Sequence, residues 1–418
     1  IISFFALTLN FLTPLNELNN SILILFSFII ILLKKELFLK KNFFLFCLLS
    51  TILIFLLITN SNVYRPDAGL YHLPFINLLN EEKIIIGSSN LHFRFGHTSI
   101  IQYLSAITNN IFFGVNGIVF PSALIASSVL IYFSSYLFKY IKTCQFNLHF
   151  FYLFSVFVFM IYKMNRYSEY GNDAPAHFLM FLLVSEVIRN FEKTKTKDIL
   201  NYLTLATFII MNKVILLTAV LFPLIFIKKN NIFNILKDKK FIFLLVFFGF
   251  WSIKNILISG CFLYPLKFTC SNNLVWTDID YTKKISLENE VWAKGWPEFR
   301  TTNSDIKKKE FSSNFVWVHT WLNNHFLKIL KILIPYILFL TAVLFFLKKN
   351  NNQYRKNNYF KSLLIISIIG ILIWLYKIPN FRYGYSNIII LISVIFSSIS
   401  YKYFDKNNLN KFKYILII

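Results

Sequence analysis

Long apolar runs separated by short polar stretches dominate the chain. A bilayer-spanning helix takes about 20 mostly apolar residues. Runs of that kind lie near 42–59, 117–138, 147–163, 174–190, 241–259, 328–347, 360–376 and 384–401, and shorter ones near 1–13, 21–33, 198–212, 214–227 and 411–418. The pattern predicts an all-α protein, a polytopic transmembrane helix bundle of about 11–13 spans. It reads as a single integral membrane domain over 1–418, with its core at about 40–401. The segment 98–113 is too polar for a span and is expected along the membrane surface. No internal repeat is visible, and the run KKNNNQYRKNNY at 348–359 reads as a polar linker.

The linkers carry the orientation. With alternating crossings, 34–41, 139–146, 189–198, 228–240, 348–361 and 402–413 fall on one side, and they hold 24 of the 43 Lys and Arg residues. Positive charge is retained on the cytoplasmic side, so this set is assigned there. The other side receives 60–97, 164–173, the turn at Asn212-Lys213, a modest loop at 260–327, and 377–383. The first of these is expected to carry surface helices. Nearly every unusual polar residue of the chain falls on that second side.

Composition supports the membrane reading. Of 418 residues, 56% are hydrophobic and 15% charged, where a soluble domain carries about 25% charged. A net charge of +24 would mark a nucleic-acid binder in a soluble protein. Here topology accounts for it, and no nucleic-acid partner is expected. The four cysteines lack zinc-site spacing. Residues 1–13 lack a basic start and a small-residue cleavage site, so a cleaved signal peptide is not expected. Gly-rich phosphate loops, HExxH and G-x-S-x-G are absent from the sequence, which leaves nucleotide hydrolysis and metalloprotease chemistry without support.

Five stretches carry candidate chemistry. In Tyr64-Arg-Pro-Asp67-Ala-Gly-Leu-Tyr71-His72, the acid sits near a helix start, where a carboxylate is favoured by the dipole. An ordinary capping role explains Asp67 equally well. In Asn165-Arg166-Tyr-Ser-Glu169-Tyr-Gly-Asn172-Asp173-Ala-Pro175, two acids and an arginine crowd a turn ahead of a helix. That is either a paired-acid site or a cap with a solvated turn. Lys213 interrupts about thirty apolar residues, which by default marks function, against a lysine that snorkels to the interface. Arg382-Tyr383 can bind phosphate or anchor at the interface. The loop 260–327 holds Trp276, Trp292, Trp296, Trp317, Trp321, His319 and His325, aromatics that stack on sugars or sit at the headgroups. Cys261 and Cys270 are the two cysteines on this side, either a short-loop disulfide or two free thiols.

These pieces, in this order, resemble the GT-C superfamily of polytopic membrane glycosyltransferases, of the protein-mannosyltransferase and lipid A aminoarabinose-transferase type. The family's acid in the first external loop corresponds to Asp67. Its acid at the head of a later helix corresponds to Asp173, in Asp173-Ala-Pro-Ala-His-Phe, with Glu169 as the alternative. A lysine after a short span, followed by L-x-P-like sequence, corresponds to Lys213 leading to Pro223, and an Arg-Tyr at a late helix start to Arg382-Tyr383. The likeness covers roughly 40–400. The chain departs from the pattern in lacking an Asp-Glu doublet in the first loop and a glycine after the lysine.

The resemblance implies sugar transfer from a polyprenyl-phosphate donor to a lipid, glycan or protein acceptor, on the periplasmic face of a bacterial inner membrane. It implies one inverting displacement, with Asp67 as base and Glu169 or Asp173 orienting the acceptor. Lys213 and Arg382 would meet the donor phosphate, and Tyr71, His72, Arg166, Asn172 and Tyr383 would line the substrate. Besides those substrates, the implied partners are membrane lipids. No cofactor is implied, although paired acids could bind a divalent metal. Two other readings stand beside it: a polysaccharide polymerase or ligase, and a non-enzymatic flippase or transporter of lipid-linked glycan.

Overall fold

The computed structural model describes residues 1–33, 41–61, 66–163, 170–227, 229–299, 304–313, 315–345 and 358–403. Its α-helices of eight or more residues are α1 (Ile2–Leu9), α2 (Glu17–Leu33), α3 (Lys41–Ser61), α4 (Leu73–Glu81), α5 (Ile100–Thr108), α6 (Phe120–Thr143), α7 (Leu148–Lys163) and α8 (Asp173–Arg189). They continue as α9 (Thr196–Asn212), α10 (Lys229–Leu236), α11 (Lys239–Ser259), α12 (Ile279–Gly295), α13 (Asp305–Ser312), α14 (Leu327–Phe345), α15 (Asn358–Lys377) and α16 (Phe381–Tyr403). Among the described residues there is no strand, only one bridge between Cys261 and Cys270.

Five described helical stretches are long and apolar enough to cross a bilayer: Gly114–Thr143, Lys239–Ser259, Trp317–Phe345, Phe360–Lys377 and Phe381–Tyr403. The protein is an all-α integral membrane protein. Three further expected spans are close to their expected lengths and fall just short of these five. Helices α7, α8 and α9 have 16, 17 and 17 residues; α7 and α8 are buried along most of their length and α9 along about half. The run 214–227 is not a regular span. It forms a 3-10 helix at Val214–Val220, kinked at Leu216, and a single α-turn at Leu221–Leu224.

The bundle core is built from α6 to α9, α14 and α16, around Phe150, Phe159, Phe178, Phe181, Tyr336 and Val394. In lipid, burying apolar surface gives little drive between helices, so small residues and hydrogen bonds hold them together. Helix α16 shows this. Ser386, Ser393, Ser397 and Ser400 share one buried face, and Ser155 of α7 bonds both Tyr336 (2.7 Å) and Ser393 (2.9 Å). Leucines, isoleucines and phenylalanines of α2, α3 and α15 are exposed outward, as lipid contact requires.

The segment 98–113 does not lie along a surface. It forms the nine-residue α5, a rise of about 14 Å and too short to cross, and it is buried on nearly every residue. Its polar side chains explain why: Ser99 donates to Asn212 Oδ1 at 2.6 Å, the Gln102 amide lies 3.2 Å from His72 Nδ1, and Asn109 donates to Asn80 Oδ1 at 2.9 Å. A polar sequence here marks protein contact rather than water.

At the C-terminal end of α8, Glu186 and Arg189 pair at 2.5 Å, and Tyr132 donates to Glu186. Arg189 also donates to Tyr136 at 2.5 Å, and His149 links Tyr140 to Ser185. Each of these side chains has a partner, so this network reads as a clamp between α6, α7 and α8.

Candidate functional site

Four chain breaks meet at the other end of the bundle. Helix α8 starts at Asp173, directly after the Tyr170–Asn172 turn. Helix α9 stops at Asn212, and Lys213 follows in extended backbone before the 3-10 helix. Helix α16 starts at Phe381, where the Asn380 side chain accepts from the Arg382 N–H at 3.2 Å. The loop that precedes it is pinned by Trp321 and Trp374, whose indoles donate to the Pro379 and Asn380 carbonyls at 2.6 and 2.7 Å. Gly384 lies flat on Trp374, and a Cβ there would stand 2.3 Å from the indole. The fourth element is the helical run from Pro66 into α4, which widens to a π-turn over Ala68–His72. Such π-turns recur at functional sites, because the inserted residue re-aims its neighbours.

The side chains these breaks deliver interlock. Arg382 bonds Asp67 through Nη1 at 3.1 Å and lies 3.7 Å from Asp173 through Nε. Lys213 donates to the other oxygen of Asp173 and sits 4.2 Å from the centre of the Tyr383 ring. Arg382 also donates to the Tyr383 hydroxyl at 2.5 Å and stacks 5.3 Å from Trp292 of α12. Neither Asp67 nor Asp173 caps its own helix through its side chain. Both acids are instead committed to cations far away in sequence, so the capping alternative does not describe them.

Around this core, the Tyr71 and His72 rings are tilted against each other with their centres 4.2 Å apart. The Gln102 amide lies 3.2 Å from His72 Nδ1; donation there leaves the ring proton on Nε2, beside the Gly171 turn. His177 Nε2 meets the Arg382 carbonyl at 2.9 Å. A carbonyl only accepts, so Nε2 carries the proton and Nδ1 accepts from the Ser386 hydroxyl at 2.8 Å. His177 therefore holds the α16 start in place.

The electrostatics follow from burial and charge. Burial would raise the Asp67 carboxyl. The Arg382 hydrogen bond, the Arg382 and Arg94 charges and the Tyr71 hydroxyl outweigh it and hold Asp67 below its ordinary range. Burial lowers His72 to about 4 against the pull of both acids, so its imidazole is neutral at pH 7. Burial also raises the Tyr71 phenol, which stays protonated.

The structure brings together Asp67, Tyr71, His72, Asp173, Lys213, Arg382 and Tyr383 of the residues picked from sequence. Asn172 lies alongside but bonds Asn212, the two side chains exchanging with each other's carbonyls at 3.4 and 3.0 Å. It steadies the α8–α9 junction rather than facing the acids. Glu169 and Arg166 lie outside the described residues. Cys261 and Cys270 are joined in a disulfide.

Sequence reading missed Arg94, whose guanidinium stands 4.7 Å over the Tyr71 ring, and Gln102. It noted Trp292 only as one aromatic among seven. A signal for Arg94 was present: Phe93-Arg-Phe-Gly96 repeats the Phe381-Arg-Tyr-Gly384 pattern. Beyond the same π-turn, a cavity of about 400 Å³ is lined by Gly69, Leu73, Pro74, Ile76, Val115 and Ile118 among others.

Comparison with curated proteins and with solved structures finds no match to this chain. A family model does match, over residues 1–389. Because that match takes in most of the chain and every described residue of the cluster above, the chain belongs to the family described as a domain of unknown function, DUF8201.

Proposed function

We propose that the protein is a membrane glycosyltransferase of the GT-C type, moving a sugar from a polyprenyl-phosphate donor to an acceptor hydroxyl. The observation that carries this reading is the convergence of Asp67, Asp173, Lys213 and Arg382, from four separate elements, on one end of the bundle. Holding that many charges together beside a membrane core is costly. A purely structural role has no need of it.

The roles divide by exposure. The Asp67 side chain is 40% accessible, that of Asp173 19%. Asp67 is the acid an incoming hydroxyl can reach. It takes the acceptor proton as the new bond forms at the anomeric carbon and the carbon–phosphate oxygen bond breaks. Phosphate departs as an anion and needs no acid. It needs waiting positive charge, which the cations of the cluster supply. Asp173 holds Lys213 and Arg382 in register. Trp292 and Tyr383 flank Arg382 with aromatic faces suited to a sugar ring. The largely apolar cavity lined by Gly69, two residues along the chain from Asp67, offers a lipid tail a place to lie. By the positive-inside count, this end of the bundle faces the periplasm.

The test is transfer from labelled polyprenyl-phosphate sugars in membranes carrying wild type, Asp67→Asn or Lys213→Ala at equal protein levels. Transfer abolished by Asp67→Asn supports the reading and its base. Transfer that survives moves the base to Glu169 or Asp173. No transfer by wild type with any donor removes the enzyme reading and favours movement of the lipid-linked glycan without chemistry.

A further inference from the structure

Within the described cluster three cations face two carboxylates. Lys213 is spent on Asp173, and Arg382 is shared between Asp67 and Asp173. Arg94 is different. Among the described residues its guanidinium makes no ion pair and no hydrogen bond. Its guanidinium carbon lies over the Tyr71 and Phe93 rings, 4.7 and 4.9 Å from their centres. Cation–π contacts of this kind hold a guanidinium without using its N–H donors. Its charge is nevertheless felt by Asp67, Tyr71 and His72. A second donor is also unsatisfied: the buried Arg382 Nε has no hydrogen-bond acceptor.

The position of Arg94 is built. It lies in the 3-10 turn Phe93–Gly96. A Cβ at Gly96 would come within 2.7 Å of the Tyr264 ring, and His97 packs on the same ring at 5.4 Å. Tyr264 belongs to the short loop closed by Cys261–Cys270. The two Phe-Arg-aromatic-Gly turns thus work alike. Each glycine lies flat on an aromatic ring, Gly96 on Tyr264 and Gly384 on Trp374, and each arginine is thereby carried into one cluster.

We infer that Arg94, held by the disulfide-closed loop, is the cation that binds the phosphoryl group of the substrate, while Lys213 and Arg382 chiefly organise the two acids. Among the described residues the cluster holds one positive charge more than it holds negative, which suits one anion, and a guanidinium fits phosphate bidentately. The inference rests on the glycosyltransferase reading for the source of that phosphate, a lipid headgroup, and its chemistry equally fits a soluble phosphate.

The experiment measures binding to the full chain in nanodiscs by intrinsic tryptophan fluorescence, with farnesyl phosphate, farnesol and inorganic phosphate as probes. Wild type, R94Q and R94K are compared at matched thermal midpoints. The expected result is that wild type prefers farnesyl phosphate to farnesol, that R94Q weakens this binding by about tenfold to a hundredfold, and that R94K loses less. Equal binding by R94Q overturns the inference and leaves the glycosyltransferase reading standing on Lys213 and Arg382. Equal affinity of wild type for inorganic phosphate and farnesyl phosphate, both lost in R94Q, keeps Arg94 as the anion ligand and overturns the lipid-linked donor. No phosphate-dependent binding by wild type overturns the inference. Should R94Q not fold, R94K decides: unchanged affinity counts against Arg94, and a drop at unchanged stability counts for it.

Discussion

Replacing Lys213 with Met keeps most of the aliphatic stem and deletes the ammonium that lies over the Tyr383 ring and meets Asp173. Asp173 then retains only the Arg382 contact among the described residues, at 3.7 Å and without a hydrogen bond from Nε. Removing one partner of a buried pair costs about 3–5 kcal/mol. The Asp173 side chain is 19% accessible and that of Lys213 8%, so water relieves part of the loss, and about 2–3 kcal/mol is expected. The penalty comes from the stranded carboxylate, so adding Asp173→Asn should recover part of it. The two substitutions should couple by about 1–2 kcal/mol. Unfolding in mixed micelles of wild type, both single variants and the double variant completes the cycle. If the single effects add to within about 0.5 kcal/mol, the two side chains do not act as a pair and the description of the cluster is wrong.

Three further outcomes follow. His72 is lowered to about 4 by burial, so the folded state binds fewer protons than the unfolded one between that value and about 6.5. Its contribution is complete above about pH 6.5 and is lost as pH falls towards 4, by at most about 3 kcal/mol. His72→Gln should flatten that part of the stability profile in denaturant titrations, and an unchanged slope refutes the assignment. Gly384→Ala places a methyl 2.3 Å from the Trp374 indole, which is fixed by its bond to the Asn380 carbonyl. It should cost about 1–3 kcal/mol and lower transfer by displacing Arg382; a variant with wild-type unfolding and transfer would show that the α16 start tolerates bulk. Cys270→Ser frees the loop carrying Tyr264 and should reduce transfer while the helical core still assembles, read by activity beside circular dichroism. Transfer equal to wild type would show that Tyr264 holds Arg94 without the disulfide.

Local chemistry was legible in the sequence wherever one segment decided it. The apolar runs gave the helices, and the helix start at Asp173 follows from Pro175. The polar break at Asn212-Lys213 announced a buried charge, and Cys261 and Cys270 stood out as the one pair on their side. The run at 214–227 was misread because hydropathy reports burial, not helix type. The buried α5 was misread because polar residues that bond other protein segments look like polar residues that meet water.

The sequence by itself therefore determined that the chain lives in a membrane, that it is helical, and that its unusual polar residues fall in a few breaks between apolar runs. It could not determine which charge meets which. Asp67 and Arg382 are 315 residues apart, and no periodicity links them. Their pairing depends on how α8, α9 and α16 pack and on how α4 and its π-turn lie across them. Tertiary structure alone turned two possible helix caps into ion-paired acids. It spent Lys213 and Arg382 on those acids and left Arg94 without an acid among the described residues. The physical reason is that in a low-dielectric bundle a charge is held by the nearest opposite charge, and nearness is a property of packing.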